Sequence, residues 1–168
     1  MPPDPEIFAL ASQVGERLRQ QGRSLAVAES CTGGLLGAAL TDVPGSSTYF
    51  LGGVISYADR VKVEELHVPE AMLRRYGAVS EQTAAAMATG VRELLRADIG
   101  VSITGVAGPD AEGSKPVGLT FIGIAAGASG GGKASVSTYR FQWTGDRWDN
   151  RRRTVIAALE LLVRAPEF

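Results

Sequence analysis

Three short apolar runs in this sequence each end in a small polar turn, and this repeated pattern constrains the fold more than any other feature. Residues 25–28 run into Glu29-Ser30-Cys31-Thr32-Gly33-Gly34, residues 50–55 into Ser56-Tyr57, and residues 99–103 into Thr104-Gly105. Helical patterns lie between the runs, which favours parallel pairing of the strands. Functional groups of an open α/β sheet collect beyond the carboxyl ends of its strands. We therefore expect the three turns, together with Lys62 on the helix after the second, to converge on one crevice.

Further helices are predicted from apolar periodicity and capping residues. Apolar residues recur at helical spacing from Ile7 to Leu18, and Gly22 stops that helix. Shorter helices are predicted over 35–43, over about 59–66 and from Pro69 onward, and Ser80 caps a helix that reaches about Ala97. A last helix over about 146–164 carries an apolar stripe of Trp148, Val155, Leu159 and Leu162.

The second half of the chain reads mostly as strands. These are predicted over 99–104, 118–126 and 135–143, with residues 128–133 as a hairpin loop. Because the last two strands follow each other through a short glycine-rich loop, we expect them to pair antiparallel. The predicted architecture is a three-layer α/β/α sandwich around a mixed, mostly parallel sheet, in one domain spanning residues 1–168.

Composition narrows the class of protein and the kinds of ligand. The 168 residues are 45% hydrophobic, enough for one buried core. A net charge of −1 gives no basic excess that would bind a nucleic-acid backbone or a membrane surface. One cysteine and one histidine cannot supply a zinc site, and we predict no metal and no cofactor. The sequence shows neither a signal-peptide pattern nor an apolar segment approaching the roughly 18–20 residues of a membrane helix, so we expect a cytoplasmic protein.

Ser30 is a candidate nucleophile, and a serine nucleophile needs a base. His67 is a poor candidate because it lies at the far end of its helix, where a structural or surface role is expected. Lys62 lies three residues after Asp59, a candidate N-cap, so the helix dipole and partial desolvation would both lower its pKa. The alternatives stay open: Lys62 could be an exposed lysine, Ser30 a helix cap and Tyr57 a core or rim residue.

The glycines after Ser30 suggest a second function for the same turn. If Ser30 caps the helix, the N–H groups of Cys31, Thr32, Gly33 and Gly34 are free to bind an oxyanion or a ligand. The spacing matches neither a P-loop, a dinucleotide-binding fingerprint nor a nucleophile elbow. Cys31 could replace Ser30 as nucleophile, but without a nearby histidine an inert buried thiol is the better interpretation.

A phosphate-bearing ligand would need a local cluster of cations in a chain of nearly zero net charge. Arg147 and Arg151 lie four residues apart at the start of the last helix, hence on one face near its positive end. We predict that they contact the ligand, directly or across a subunit interface. Arg152 and Arg153 are expected to form a solvated face.

Taken together, these segments resemble the CinA C-terminal domain family over about residues 7–162. The resemblance rests on six ordered motifs: Ala28-Glu29-Ser30-Cys31-Thr32-Gly33-Gly34; Gly53-Val54-Ile55-Ser56-Tyr57 with Lys62; Gly77-Ala78-Val79-Ser80; Thr104-Gly105-Val106-Ala107-Gly108-Pro109; Lys115-Pro116-Val117-Gly118; and Gly145-Asp146-Arg147 with Arg151. The family includes stand-alone nicotinamide-nucleotide amidases. Its two-domain members carry a preceding domain, whose nucleotide-pyrophosphatase activity is not expected here.

This resemblance implies hydrolysis of the carboxamide of nicotinamide mononucleotide to nicotinate mononucleotide and ammonia, without a metal. It implies a serine nucleophile assisted by lysine and tyrosine, here Ser30, Lys62 and Tyr57, with Thr104 in the active-site set and Gly105 beside it. The expected partners are this small-molecule substrate and further copies of the chain. Two other functions stay open: a non-catalytic nucleotide-binding or regulatory module, and a serine amidase for another small amide.

Overall fold

A five-stranded mixed sheet forms the middle layer of the protein in this computed structural model, which describes residues 2–127 and 134–165. The strands are β1 (Leu25–Glu29), β2 (Phe50–Ile55), β3 (Ile99–Gly105), β4 (Leu119–Ala126) and β5 (Ser135–Gln142). Their order is β2-β1-β3-β4-β5, with β1 parallel to both of its neighbours and β4 antiparallel to both of its own. The predicted mixed sheet is confirmed. The hairpin loop predicted over 128–133 lies outside the described residues.

Helices cover both faces of the sheet. They are α1 (Pro5–Gln21), α2 (Leu35–Thr41), α3 (Asp59–Glu64), α4 (Glu70–Tyr76), α5 (Glu81–Leu94) and α6 (Arg147–Arg164), with one 3₁₀ turn over Ser46–Thr48. On one face α1, α2 and α6 bury apolar side chains against β1, β3 and β4. On the other face α5 packs with the α3–α4 segment against Ala26 and Ala28 of β1. The three-layer prediction is therefore confirmed, and none of the described helices is long and apolar enough to cross a membrane.

Capping residues set several of the helix boundaries. Gly22 ends α1 in the left-handed conformation, and the side chains of Ser80 and Asp146 accept N–H bonds at the starts of α5 and α6, as predicted. Helix α5 ends at Leu94, three residues before the predicted Ala97, because Arg96 adopts a φ of 53° that a right-handed helix cannot continue.

The first turn departs from the prediction that Ser30 could cap the following helix. Gly33 and Gly34 both have positive φ, 61° and 101°, so the chain makes a wider turn and α2 begins only at Leu35. Ser30 is therefore left between the strand and this turn. Its N–H donates to the Ile103 carbonyl, 3.0 Å away, which extends the parallel pairing beyond β1.

The apolar stripe predicted for the last helix is correct except for its first member. Val155, Leu159 and Leu162 are completely buried, whereas Trp148 is 56% exposed. Trp148 lies in the first turn of α6, and the Arg151 guanidinium covers its ring at 5.7 Å from the ring centroid. The aromatic side chain thus belongs to the surface around the ends of the strands. The homo-oligomer expected from the sequence stays a prediction.

Close packing of α5 gives a testable consequence at Gly90. A Cβ there would collide with the Leu66 carbonyl oxygen, whereas a Cβ at Gly37 in α2 would make only ordinary contacts of 3.5–3.8 Å. Alanine gains about 1 kcal/mol over glycine in a helix, and overpacking costs about 1–3 kcal/mol. Gly90→Ala should therefore lower the free energy of unfolding in urea, and Gly37→Ala should leave it unchanged or raise it. Equal stabilisation by both would contradict this packing.

Candidate functional site

The carboxyl ends of the first three strands lie side by side. Glu29, the last residue of β1, pairs with Ile55 of β2 and with Ile103 of β3. The three polar turns that follow these strands therefore meet at one edge of the sheet, as the sequence predicts. Ser30, on the central strand of the three, lies in the middle of this edge.

Lys62 reaches Ser30 from α3. Its side chain is only 1% exposed, and its Nζ lies 3.3 Å from Ser30 Oγ. The same nitrogen donates to the backbone carbonyls of Ser56 at 2.8 Å and Tyr57 at 3.3 Å. Since two carbonyls at the end of β2 fix the amine, Lys62 is held toward the serine and cannot swing into solvent. The alternative of an exposed lysine is wrong.

Burial lowers the pKa of Lys62, because the desolvated ammonium loses its hydration. The exposed carboxylate of Asp59, 3.5 Å from Nζ, opposes this shift. Asp59 is the first residue of α3 and not its N-cap, which is Ala58. The sequence argument expected a lowered pKa from the helix dipole as well as from desolvation, and in the structure burial is the main cause.

A cavity of about 220 Å³ opens beside this pair. Seven of the residues predicted for the site line it: Ser30, Cys31, Tyr57, Lys62, Thr104, Gly105 and Arg147. Thr104 is almost completely buried, and its hydroxyl donates to the Ala78 carbonyl at 2.7 Å, so it fixes one wall. The remaining lining includes Asp59, Asp110 and Glu112, three carboxylates that the sequence analysis did not single out.

Tyr57 and Arg147 form the rim of the cavity. The Tyr57 side chain is 59% exposed, and its hydroxyl accepts a bond from Arg147 Nη2 at 3.1 Å. Arg147 Nη1 donates to the Gly108 carbonyl at 2.6 Å, which ties α6 to the loop after β3. In the described residues no hydrogen bond joins the Tyr57 hydroxyl to Ser30 or Lys62. Tyr57 instead contributes its backbone carbonyl to the lysine.

Four other predicted ligand-binding residues do not line the cavity: Thr32, Gly33, Gly34 and Arg151. Thr32 is fully buried and its hydroxyl donates to Glu29, so its side chain is already occupied. The N–H groups of Gly33 and Gly34 are bound by Ser30 O at 3.0 Å and Glu29 Oε2 at 3.1 Å. The predicted row of four free N–H donors is therefore reduced to those of Cys31 and Thr32.

The arginines of α6 divide between the turn, the rim and α1. Arg151 Nη2 donates to the Thr32 carbonyl at 2.9 Å, so it contacts the backbone of the serine turn. Arg152 pairs with Asp4 and Glu6 at the start of α1, which corrects its prediction as a solvated residue. Arg153 pairs on the surface with Asp149. Arg147 is thus the arginine of this group that faces the cavity.

Cys31 and His67 are excluded as the nucleophile and its base. Burial raises the pKa of the Cys31 thiol to about 12, so the thiol stays protonated near neutral pH. His67 is exposed at the far end of α3 and does not line the cavity. Within residues 2–127 and 134–165, no three side chains of His, Cys, Asp or Glu are grouped as metal ligands would be.

Glu29 is the residue of this site that sequence reasoning missed. It is 1% exposed although it carries a carboxylate, and it occupies the last position of a fully buried strand. A charged residue between an apolar run and a glycine-rich turn was the available signal. The sequence alone does not show whether such a side chain points to solvent or back into the turn.

Comparison with known proteins places this site in a family. The profile described as "CinA C-terminal domain" matches residues 7–165. A putative competence-damage inducible protein of Halothermothrix orenii is 47% identical over 95% of this chain and 38% of its own length. A CinA-like protein of Microcystis aeruginosa is 50% identical over 92% of this chain and 37% of its own length. The chain thus spans little more than a third of these relatives.

Solved structures show the same fold. The competence/damage inducible protein CihA from Agrobacterium tumefaciens superposes with a TM-score of 0.89 at 35% identity, covering 95% of each chain. A CinA superfamily protein from Escherichia coli gives a TM-score of 0.87 at 33% identity, covering 96% of this chain and 91% of the other. These names describe induction and family, and they state no reaction.

The lowered pKa of Lys62 gives a prediction for stability. The folded state holds the Lys62 proton more weakly than the unfolded chain, whose lysine has a pKa of about 10.4. Protonation therefore destabilises the fold at neutral pH, and this penalty fades as pH rises toward that value. The free energy of unfolding of the native protein minus that of Lys62→Met should rise with pH from neutral to alkaline. Lys115→Met is the control, and pH-independent differences for Lys62→Met would contradict the burial argument.

Proposed function

The chain belongs to the CinA C-terminal domain family, which includes amidases, and on that premise we propose that it hydrolyses the carboxamide of nicotinamide mononucleotide. The products would be nicotinate mononucleotide and ammonia. The observation that carries the proposal is the 3.3 Å contact between Lys62 Nζ and Ser30 Oγ at the wall of a cavity. A buried amine beside a serine hydroxyl is a base and nucleophile pair suited to acyl transfer.

Acylation begins when neutral Lys62 takes the Ser30 proton as Oγ attacks the carboxamide carbon. The carbonyl π electrons move to oxygen, and the N–H groups of Cys31 and Thr32 are the donors of the turn left free to bind this oxyanion. When the tetrahedral intermediate collapses, the C–N bond breaks and Lys62 gives its proton to the departing nitrogen. Ammonia leaves, and the acyl group remains as an ester on Ser30.

Deacylation uses the same groups with water in place of serine. Neutral Lys62 accepts a proton from water, the hydroxide adds to the ester carbon, and the protonated lysine returns the proton to Ser30 Oγ as the acid is released. Tyr57 supports this cycle through its carbonyl, which holds the amine, and its hydroxyl, which holds Arg147. We favour direct proton transfer by Lys62 over a relay through the Tyr57 hydroxyl for this reason.

The experiment that tests the proposal is measurement of ammonia released from nicotinamide mononucleotide by the purified protein. Ser30→Ala should remove nearly all turnover while leaving binding of the mononucleotide largely intact, because only the covalent step is lost. Cys31→Ala should lose far less, and Ser47→Ala, at an exposed serine, is the matched control for substitution at serine.

The outcomes separate the proposal from its alternatives. Binding of the mononucleotide without ammonia would indicate a nucleotide-binding or regulatory module. Ammonia from other small amides but not from this one would indicate a serine amidase of different specificity. An active Ser30→Ala enzyme together with an inactive Cys31→Ala enzyme would overturn the assignment of the nucleophile.

Arg147 is the arginine that we propose for the substrate phosphate, because it lines the cavity. A charge-assisted hydrogen bond contributes about 1.5–3 kcal/mol, so its loss should lower kcat/KM about ten- to a hundredfold. Arg147→Ala should show this loss with the mononucleotide and a much smaller one with nicotinamide riboside, which has no phosphate. Arg151→Ala should affect both substrates alike, because Arg151 binds the turn.

Two comparisons make the phosphate assignment decisive. Arg153→Ala removes an exposed arginine of the same helix that pairs with Asp149, and it should change neither substrate. Equal losses on both substrates for Arg147→Ala would mean that its bonds to Tyr57 and Gly108 matter more than any contact with phosphate.

A further inference from the structure

Glu29 makes an unusually complete set of hydrogen bonds for a buried carboxylate. Oε2 accepts from the Thr32 hydroxyl at 2.6 Å and from the N–H groups of Gly34 and Leu36, both at 3.1 Å. Oε1 accepts from the Gly37 N–H at 2.8 Å. A buried charge is tolerated only with such compensation. Every one of these donors lies in the turn after Ser30 or in the first residues of α2.

The first consequence is that the start of α2 is already occupied by an anion. Its free N–H groups are where an external phosphate or oxyanion would otherwise bind. Because the Glu29 carboxylate takes these donors, the substrate cannot use them. The oxyanion of the proposed reaction is left with the N–H groups nearest the nucleophile, those of Cys31 and Thr32.

The second consequence is that Thr32 is fixed from two sides. Its hydroxyl is held by Glu29, and its carbonyl accepts from the Leu35 N–H at 3.2 Å and from Arg151 Nη2 at 2.9 Å. The peptide planes on both sides of this residue therefore have little freedom. Ser30, the next residue after Glu29, is held at the other end by its N–H bond to the Ile103 carbonyl.

We propose that Glu29 is a positioning residue for catalysis: through Thr32, and with Arg151, it aims the Cys31 and Thr32 N–H groups at the atom that becomes the oxyanion on attack by Ser30. Glu29 does not touch the substrate. This inference rests on the proposed function only in that Ser30 is the nucleophile, and it does not depend on which amide is hydrolysed.

Helix capping alone does not explain a glutamate at this position. A neutral serine or asparagine next to the helix could cap α2 without burying a charge. Glu29 instead belongs to β1, and its side chain spans the turn from before the nucleophile to the first turn of α2. It thus joins the strand that carries Ser30 to the donors that follow Ser30, which a local cap would not do.

A boronic acid probe tests the proposal. Pyridine-3-boronic acid should form a bond from boron to Ser30 Oγ, with the serine proton passing to Lys62, which gives a tetrahedral anion whose oxygen needs the oxyanion donors. Glu29→Gln replaces an acceptor oxygen with an NH₂ group and should lower the affinity for this adduct at least tenfold. Binding of planar nicotinate mononucleotide should change less than twofold, and kcat for the amide should fall while KM stays nearly constant.

Thr32→Val keeps the shape of Thr32 but removes the hydroxyl that Glu29 holds, and it should repeat the pattern if Glu29→Gln does not fold. Glu70→Gln, at an exposed glutamate paired with Arg74, is the matched control. Equal weakening of the adduct and the planar product, or an unchanged adduct in a folded variant, would overturn the positioning role. A native adduct without turnover of nicotinamide mononucleotide would reject that substrate alone, whereas a native protein that forms no adduct would reject this inference.

Discussion

The contact between Lys62 and Ser30 depends on removing a lysine amine from water, and much of the surrounding structure serves that burial. The carbonyls of Ser56 and Tyr57 replace the lost water molecules without bringing in a negative charge. Neutral acceptors matter here, because a buried carboxylate at the same distance would stabilise the ammonium and remove the base. The one carboxylate that does lie close, Asp59, is exposed, so solvent screens its effect on the amine.

Placing the two charges of the turn in separate compartments is the second requirement. Glu29 points into the layer of α2, on the face of the sheet that packs α1 and α6, whereas Lys62 approaches the strand ends from α3. Each charged group therefore meets its own set of backbone partners, donors for the carboxylate and acceptors for the amine. Ser30 lies between them, and a single residue of sequence separates it from Glu29.

Sequence reasoning reached the strands and the convergence of Ser30, Tyr57, Lys62 and Thr104, because apolar runs and their polar ends are local signals. It did not reach Glu29, since periodicity indicates which residues are buried and does not show where a long polar side chain turns. It also treated Arg147 and Arg151 as equivalent from their helical spacing. The structure separates them, because four residues advance the helix by more than one turn and place Arg151 over Trp148 and the Thr32 carbonyl.

The remaining wall of the cavity depends on how closely α5 approaches the sheet. A Cβ at Gly100 of β3 would collide with the Ala88 carbonyl of α5, so glycine at this position allows the backbones to come into contact. The turn that leads into α5 is thereby brought down over the end of β3, where the Ala78 carbonyl accepts the Thr104 hydroxyl at 2.7 Å. Ala78 and Val79 of this turn line the cavity opposite Ser30 and Lys62 only because the helix sits so low. A larger residue at Gly100 would therefore reshape the substrate cavity from a position that no substrate touches.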